Sequence, residues 1–405
     1  MNTVYFAKHI LLENGEVLLN GAVSVCDGVI TDVGLRGAVR RVRDERVVNL
    51  GDILLLPGFI NMHTHLEEGP VRGFRKEPDE TFAAWSNKKY SRMRQLLPEQ
   101  INTGIRLYAR EMMSQGITAV VDSTRTGFSA EVLAQEPIRS IIIREIADEE
   151  FVNEGVEQVG GWLSGGSAFK YGIGPHAIYS MKPQEHRRII EYTYDAGCLW
   201  ACHLAESAEE MQAFREHSGD FYFNLTRKRP WPAGESSLSP VQYALEKNLI
   251  PSYAILFHCN YINSYELALL AAKRAFVTIC YRYGMDMEHK NFPIEVARNR
   301  GVQLCLGTEG TMPAGEVNLL EELFQLKMAY PQISAAEMLN WVTKNPAAAL
   351  RMSDKLGSIT PGKYADIIGI RFSYESGDDI LESLLTSDPD VAFVMIGGEE
   401  VIVDI

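Results

Sequence analysis

Hydrophobic and polar positions divide the chain into three textures. The N-terminal stretch carries short apolar runs at Val4–Phe6, Val17–Leu19, Gly21–Cys26, Val29–Val33 and Val47–Asn49. Glu13-Asn14-Gly15 and Asp27-Gly28 separate some of them, and Asn-Gly and Asp-Gly are hairpin signals. After Pro57-Gly58 the pattern alternates. Apolar runs at Leu54–His63, Ala119–Asp122, Ile138–Ile146, Tyr171–Pro175, Leu199–Leu204, Ala254–His258, Phe276–Cys280 and Gln303–Leu306 read as strands. Nearly all are followed by segments of helical period, among them Pro98–Gln115, His186–Ala196, Ala208–His217, Pro240–Lys247, Ser264–Arg274 and Pro293–Arg300. Helices are predicted at Leu319–Met328 and Ala335–Met352, and strands again at Ala365–Phe372 and Val391–Ile405.

Eight βα repeats over about 250 residues favour a closed parallel barrel over an open sheet. The strand runs are almost unbroken, as strands covered on both faces should be. The predicted fold is α/β: a (β/α)8 TIM barrel over residues 57–355. Residues 1–56 and 356–405 share one texture and are expected to pair into a composite β-sandwich domain beside it.

The chain has 405 residues, 46% hydrophobic and 23% charged, which are ordinary globular values. Its net charge of −14 would repel a phosphate backbone, which argues against nucleic acid as a partner and disfavours anionic membranes. No run is long enough to span a bilayer, and no basic segment followed by an apolar one marks a secretory leader. Six scattered cysteines do not make a disulfide framework, so a cytoplasmic compartment is expected. No G-x-S-x-G, P-loop or dinucleotide glycine motif is present.

Candidate chemistry lies where the apolar runs end. In a parallel barrel the C-terminal strand ends form the functional face. His63 and His65 close the first run, His203 the fifth with Glu206 three residues on, His258 the sixth, and Glu309 follows the last. Residues two apart on a strand share a face, so His63 and His65 are placed to reach one ion. Three or four nitrogen and oxygen ligands with an open position suit a catalytic divalent metal. Any one of these histidines alone would read as a packing residue; their conjunction does not.

At this point the sequence resembles the amidohydrolase superfamily. Pro57-Gly58-Phe59-Ile60-Asn61-Met62-His63-Thr64-His65-Leu66 is similar to its signature. So are Gly174-Pro175-His176, His203-Leu204-Ala205-Glu206, His258-Cys259, Leu306-Gly307-Thr308-Glu309 and Pro361-Gly362-Lys363. The resemblance covers nearly the whole chain and points to the branch of cytosine, guanine, S-adenosylhomocysteine and aminodeoxyfutalosine deaminases and triazine hydrolases. Phe82–Trp85, Trp231–Tyr243 and His289–Pro293 look most like aminodeoxyfutalosine deaminase-like members.

The resemblance implies hydrolytic deamination of an aminated heterocycle, such as a purine nucleoside derivative. His63, His65, His203 and Glu309 would hold one Zn or Fe ion per chain. Glu206 would carry the water proton to the ring, His258 would orient the attacking oxygen, and Glu309 would take a proton toward the leaving amine. His176 would touch the substrate, and Trp85, Glu67, Glu145 and His289 are further candidates. A homodimer is also implied.

Three positions depart from the family pattern. Glu309 stands where the family places Asp, Pro313 where it often places a Ser, and Cys280-Tyr281-Arg282-Tyr283-Gly284 replaces C-P-x-S-N. They leave open a dechlorinase or aminohydrolase on triazine- or pterin-like rings, and a homologue that binds without turnover. Lys170 is the nearest candidate for a lysine bridging two metals. Asp122 is expected to bond a loop at its strand end. Glu67 and Glu68 are expected at the pocket mouth or in solvent, and Glu145 to bind substrate or pair with Arg144. His9, His186 and His217 are expected at the surface.

Overall fold

The computed structural model describes residues 2–40, 45–166, 168–228, 237–310 and 317–401. Trp231, Pro313 and the last residues of the predicted strand to Ile405 lie outside these. The N-terminal strands are β1 (Asn2–Leu11), β2 (Val17–Cys26), β3 (Val29–Leu35), β4 (Arg46–Asn49) and β5 (Leu54–Pro57). Eight parallel strands follow: β6 (Phe59–Thr64), β7 (Ile117–Thr124), β8 (Arg139–Ile146), β9 (Lys170–Pro175), β10 (Leu199–Leu204), β11 (Ile255–His258), β12 (Phe276–Ile279) and β13 (Gln303–Leu306). They lie side by side in chain order. The chain ends in β14 (Ile367–Arg371), β15 (Asp390–Ile396) and β16 (Glu399–Glu400).

The predicted barrel is present, with alternate strand positions turned inward. Ile60, Met62, Ala119, Val121, Ile141, Ile143, Leu199, Ala201, Ile255 and Phe257 form one buried cluster. The residues between them, such as Val120, Ile142 and Leu256, pack outward with the helices. This is the period of two that a filled barrel interior requires.

The run Leu54–His63 is two strands rather than one. Leu54–Pro57 belongs to the terminal sheet and Phe59–Thr64 to the barrel. The chain changes sheet at Gly58, where a Cβ would lie 2.1 Å from Thr118 Oγ1. Only glycine tolerates that approach. Likewise Ala335–Met352 is two short helices, Ala335–Asn340 and Lys344–Ala349. Pro346 lacks an N–H and disfavours helical backbone before it. The carbonyls freed at the break have a use: Trp341 O accepts from Leu306 N and Val342 O from Ile60 N, at the seam between β13 and β6. The far end of that seam is closed by Thr308 N and Glu309 N, both donating to His63 O.

The terminal strands form one continuous mixed sheet, in the order β16-β15-β14-β5-β1-β2-β3 with β4 also on β1, where two facing sheets were expected. The two ends of the chain meet as β5 and β14 pair antiparallel, Leu54 opposite Ile370 and Pro57 opposite Ile367. Both faces bury side chains, Tyr5, Ala7, Val23 and Val25 in one cluster and Val4, Phe6, Ala22 and Val39 in another.

A largely buried ion pair ties sheet to barrel. Arg139 at the start of β8 donates from Nε and from Nη2 (2.8 Å) to the Asp366 carboxylate, which also accepts from Gly397 N at 2.7 Å. The guanidinium lies over the Tyr364 ring at 4.3 Å. Removing one partner strands the other, so Arg139→Met is expected to cost about 3 kcal/mol, the low end for breaking a buried pair. Urea unfolding of this variant checks it; a midpoint equal to wild type would refute it.

Candidate metal and catalytic site

The site lies at the C-terminal ends of the barrel strands. His63 is near the end of β6, and His65 lies just past it, where a 3-10 turn Leu66–Val71 begins. The His63 ring stacks on Phe257 with centroids 3.7 Å apart. Gly307 lets the end of β13 close over it, since a Cβ there would sit 2.7 Å from His63 Cβ.

Each histidine is oriented from behind. His65 Nδ1 lies 3.0 Å from Ser123 O, and His203 Nδ1 lies 2.7 Å from His176 O. A carbonyl can only accept, so both Nδ1 atoms carry a proton, which in the neutral imidazole leaves the lone pair on Nε2. Those two Nε2 atoms are 3.2 Å apart. His63 Nε2 is 2.8 Å from Glu309 Oε2, yet both atoms lack an aligned hydrogen-bond partner. One ligand atom from each of His63, His65, His203 and Glu309 lies within 4.8 Å of all the others, and all four residues are buried. Lone pairs facing one another at such distances repel unless a cation lies between them. The donor set therefore fits a divalent metal. Burial pushes the His63 pKa down to about 4, which keeps its imidazole neutral and able to ligate.

Glu309 has left-handed backbone. Its φ is 57°, and its carboxylate also lies 3.5 Å from His65 and 3.4 Å from His258. Ala205 (φ 50°), His258 (φ 67°) and Cys259 (φ 54°) are left-handed as well. Such backbone costs of order 1–3 kcal/mol per residue and clusters where side chains must be aimed.

Glu206 follows β10 and is buried. Tyr283 Oη donates to its Oε1 at 3.2 Å, and the imidazoles of His258 and His289 stand 3.9 and 3.8 Å from the same oxygen. Burial opposes the charged carboxylate, but His258 and His289 outweigh it and hold its pKa below the usual range. Behind it Ser207 caps the helix Ala208–Glu216. Glu210 accepts from Ala205 N (3.1 Å) and Glu206 N (2.8 Å), and burial pushes its own pKa up to about 8.

Above these groups lies a cavity of about 710 Å³ lined by His65, His203, Glu206 and Glu309, with Phe82, Trp85, Tyr90, Phe151, Tyr179, Phe221 and Tyr283 among its walls. Trp85 and His176 line it too. Trp85 Nε1 is spent on Phe74 O at 3.1 Å, so it offers the cavity a ring rather than a donor.

Several expectations are revised. Glu67 is not at the pocket mouth. It is buried, and it accepts from the hydroxyls of Thr124 and Thr126 and the amides of Arg125 and Thr126, fixing the loop after β7. Glu68 is buried too, with Lys89 Nζ 2.7 Å from its Oε2. Glu145 pairs with Arg125 and lies 3.2 Å from His176 Nδ1 and 3.8 Å from His203 Nδ1, while the Arg144 side chain turns to Gln158 and Glu154. Lys170 donates to Leu350 O at 2.6 Å from the opposite end of β9, so it cannot bridge metals. His186 is buried with Nε2 2.9 Å from Ile178 O, and His9 is buried 3.0 Å from Tyr374 Oη. Asp122 accepts from Leu66 N at 2.7 Å, the loop bond expected of it. Lys89, Arg125 and Tyr179 line the cavity but were not singled out in sequence. Arg125 just after a strand end was legible by position; Lys89, within a polar helix, carried no signal.

Eight parallel strands with a His/Glu cluster at their C-terminal ends define a metal-binding α/β barrel. The chain belongs to the amidohydrolase family, whose model matches residues 54–401. It is 24% identical over 409 residues to a 5-methylthioadenosine/S-adenosylhomocysteine deaminase of Pelotomaculum thermopropionicum, covering 95% of this chain and 89% of that one. Its fold is similar to an adenosine deaminase from Xanthomonas campestris with bound zinc (TM-score 0.84, 21% identity, 98% and 92% of the two chains). It is also similar to Helicobacter pylori aminofutalosine deaminase in complex with methylthio-coformycin (TM-score 0.83, 20% identity, 99% and 100%). Among the described residues no helix is long and apolar enough to cross a membrane.

Proposed function

We propose that this protein is a metal-dependent aminohydrolase that replaces the amino group of an aminopurine nucleoside by oxygen and releases ammonia. The observation that carries it is the convergence of His63, His65, His203 and Glu309 within 4.8 Å, under an aromatic-walled cavity that Glu206 also lines. The relatives' names supply the purine nucleoside.

A zinc or iron ion on those four residues supplies a Lewis acid that lowers the pKa of a water from about 15.7 toward about 7. Glu206 takes the proton of the attacking water and passes it to the ring nitrogen. Tyr283 and His289 keep the carboxylate in place and ionised. His258, between Glu206 and Glu309, orients the attacking oxygen. Glu309 takes the second proton toward the leaving amine. His176 lines the substrate side and supplies the carbonyl that aims His203. Phe82, Trp85, Tyr179 and Tyr283 enclose the ring and displace water.

The placement of Glu309 supports a competent site over a binding-only homologue, because its carboxylate reaches the ligand cluster despite the longer side chain. Six free thiols, five of them buried, support a reducing cytoplasm, and the homodimer is retained from the family resemblance.

Elemental analysis paired with ammonia release tests the proposal. About one zinc or iron per chain and ammonia from 5-methylthioadenosine, adenosine or 5′-deoxyadenosine are expected. A metal-loaded protein that releases none from all three would overturn it.

A further inference from the structure

Among the described residues, Lys89 is a cation with fewer acceptors than donors. It projects from the helix Phe82–Met93 and is 3% exposed. Its ammonium has three N–H donors. Among the described residues its one hydrogen bond is to Glu68 Oε2 at 2.7 Å. The Trp85 and Tyr90 rings flank it, with centroids 4.8 and 5.1 Å from Nζ. They can ease its desolvation but accept no directed hydrogen bond. The residue lines the same cavity as His65, Glu206 and Glu309. A buried ammonium with donors to spare is costly unless an acceptor meets them.

Both ends of the pair are held. The helix carrying Lys89 is anchored by Thr81 Oγ1, which accepts from Ala84 N, and by Glu209, which accepts from Phe82 N (2.7 Å) and Ala83 N (2.9 Å). Glu68 sits in the turn directly after His65, and its backbone N–H donates to His65 O at 2.9 Å. Lys89 is thus placed rigidly on the wall beside a metal ligand. A surface ion pair would swing freely; this one is preorganised for a ligand.

We propose that Lys89 is a specificity-determining substrate contact whose spare N–H donors bind an acceptor oxygen or nitrogen of the nucleoside. Glu68 holds the ammonium and cancels its charge, so the subsite suits a neutral acceptor, a hydroxyl oxygen or ring nitrogen, rather than a phosphate. The inference rests on the aminopurine reading. It adds the requirement that a substrate carry an acceptor on the face toward Phe82–Met93.

The test is steady-state deamination of 5-methylthioadenosine and adenosine by metal-loaded wild type, Lys89→Met, and the double variant Glu68→Gln/Lys89→Met. The double variant removes both charges, so it leaves no stranded carboxylate to unfold the protein. Losing a hydrogen bond from a charged donor should raise KM about 10- to 100-fold in both variants. Metal content and kcat should stay within about threefold of wild type, because the contact binds the ground and transition states alike. An unchanged KM in the double variant overturns the subsite alone. A fall in kcat or metal content with KM unchanged overturns it as well, in favour of a purely structural pair. A metal-loaded wild type that releases ammonia from neither of these nucleosides nor from 5′-deoxyadenosine overturns the aminopurine reading and the subsite with it.

Discussion

Glu206→Gln is expected to lower kcat by about a thousandfold, within the range for loss of general acid–base catalysis. Metal content should be unchanged, because Glu206 is not among the four residues whose ligand atoms converge. The substitution keeps the shape and an acceptor oxygen for the Tyr283 hydroxyl, so the fold around it should survive. It removes the charge that His258 and His289 stabilise. KM should move little, since no binding group is lost. The measurement is kcat on the best nucleoside of the panel together with metal per chain. Retention of more than about a tenth of wild-type kcat would exclude Glu206 as the proton carrier.

His63→Ala is the second large effect. The metal content of the purified protein is expected to fall from about one per chain to near zero, with activity at background. His63 is fully buried, its ring stacks on Phe257, and its Nε2 is the nitrogen nearest the Glu309 carboxylate. Without it, three ligands remain, and Glu309 loses the partner 2.8 Å away. Far-ultraviolet circular dichroism should stay close to wild type, because the neighbouring strands keep their hydrogen bonds. A variant that retains full metal would exclude His63 as a ligand. His203→Ala should behave alike, and comparing the two separates a ligand effect from local unfolding, since the residues stand on different strands.

Much of this is legible in the amino-acid sequence. The strands Leu199–Leu204 and Gln303–Leu306 are legible to the residue, because each is a short, mostly apolar run that begins two residues after a glycine, Gly197 or Gly301, as a strand buried on both faces does after a helix ends. The histidines at strand ends were legible for the same reason: each interrupts an apolar run at the point where a barrel opens to ligand. What failed in sequence failed where one segment serves two neighbours. Leu54–His63 is uniformly apolar, and nothing local shows that half of it joins another sheet. The break in Ala335–Met352 could be suspected from Pro346, but its use in closing the β13–β6 seam could not.

Pairings across the fold were the least legible part. Glu67, Glu68 and Lys89 read as ordinary charges, because burial of a charge depends on a partner far along the chain, here Thr124 and Thr126 for Glu67 and Lys89 for Glu68. Glu145 has Arg144 beside it in sequence, but adjacent strand residues point to opposite faces, so it pairs instead with Arg125 from the neighbouring strand's end. The sequence by itself determined the barrel, the strand-rich character of both termini and the histidines at the strand ends, because repeat length, apolar period and ligand chemistry are local properties. Only the tertiary structure decided that Glu309 reaches the cluster, that Tyr283 holds Glu206, and that Lys89 lines the cavity bonded, among the described residues, to Glu68 alone. Those depend on distances between strand ends and on which charges are shut away from water, and both are set by how the whole chain packs.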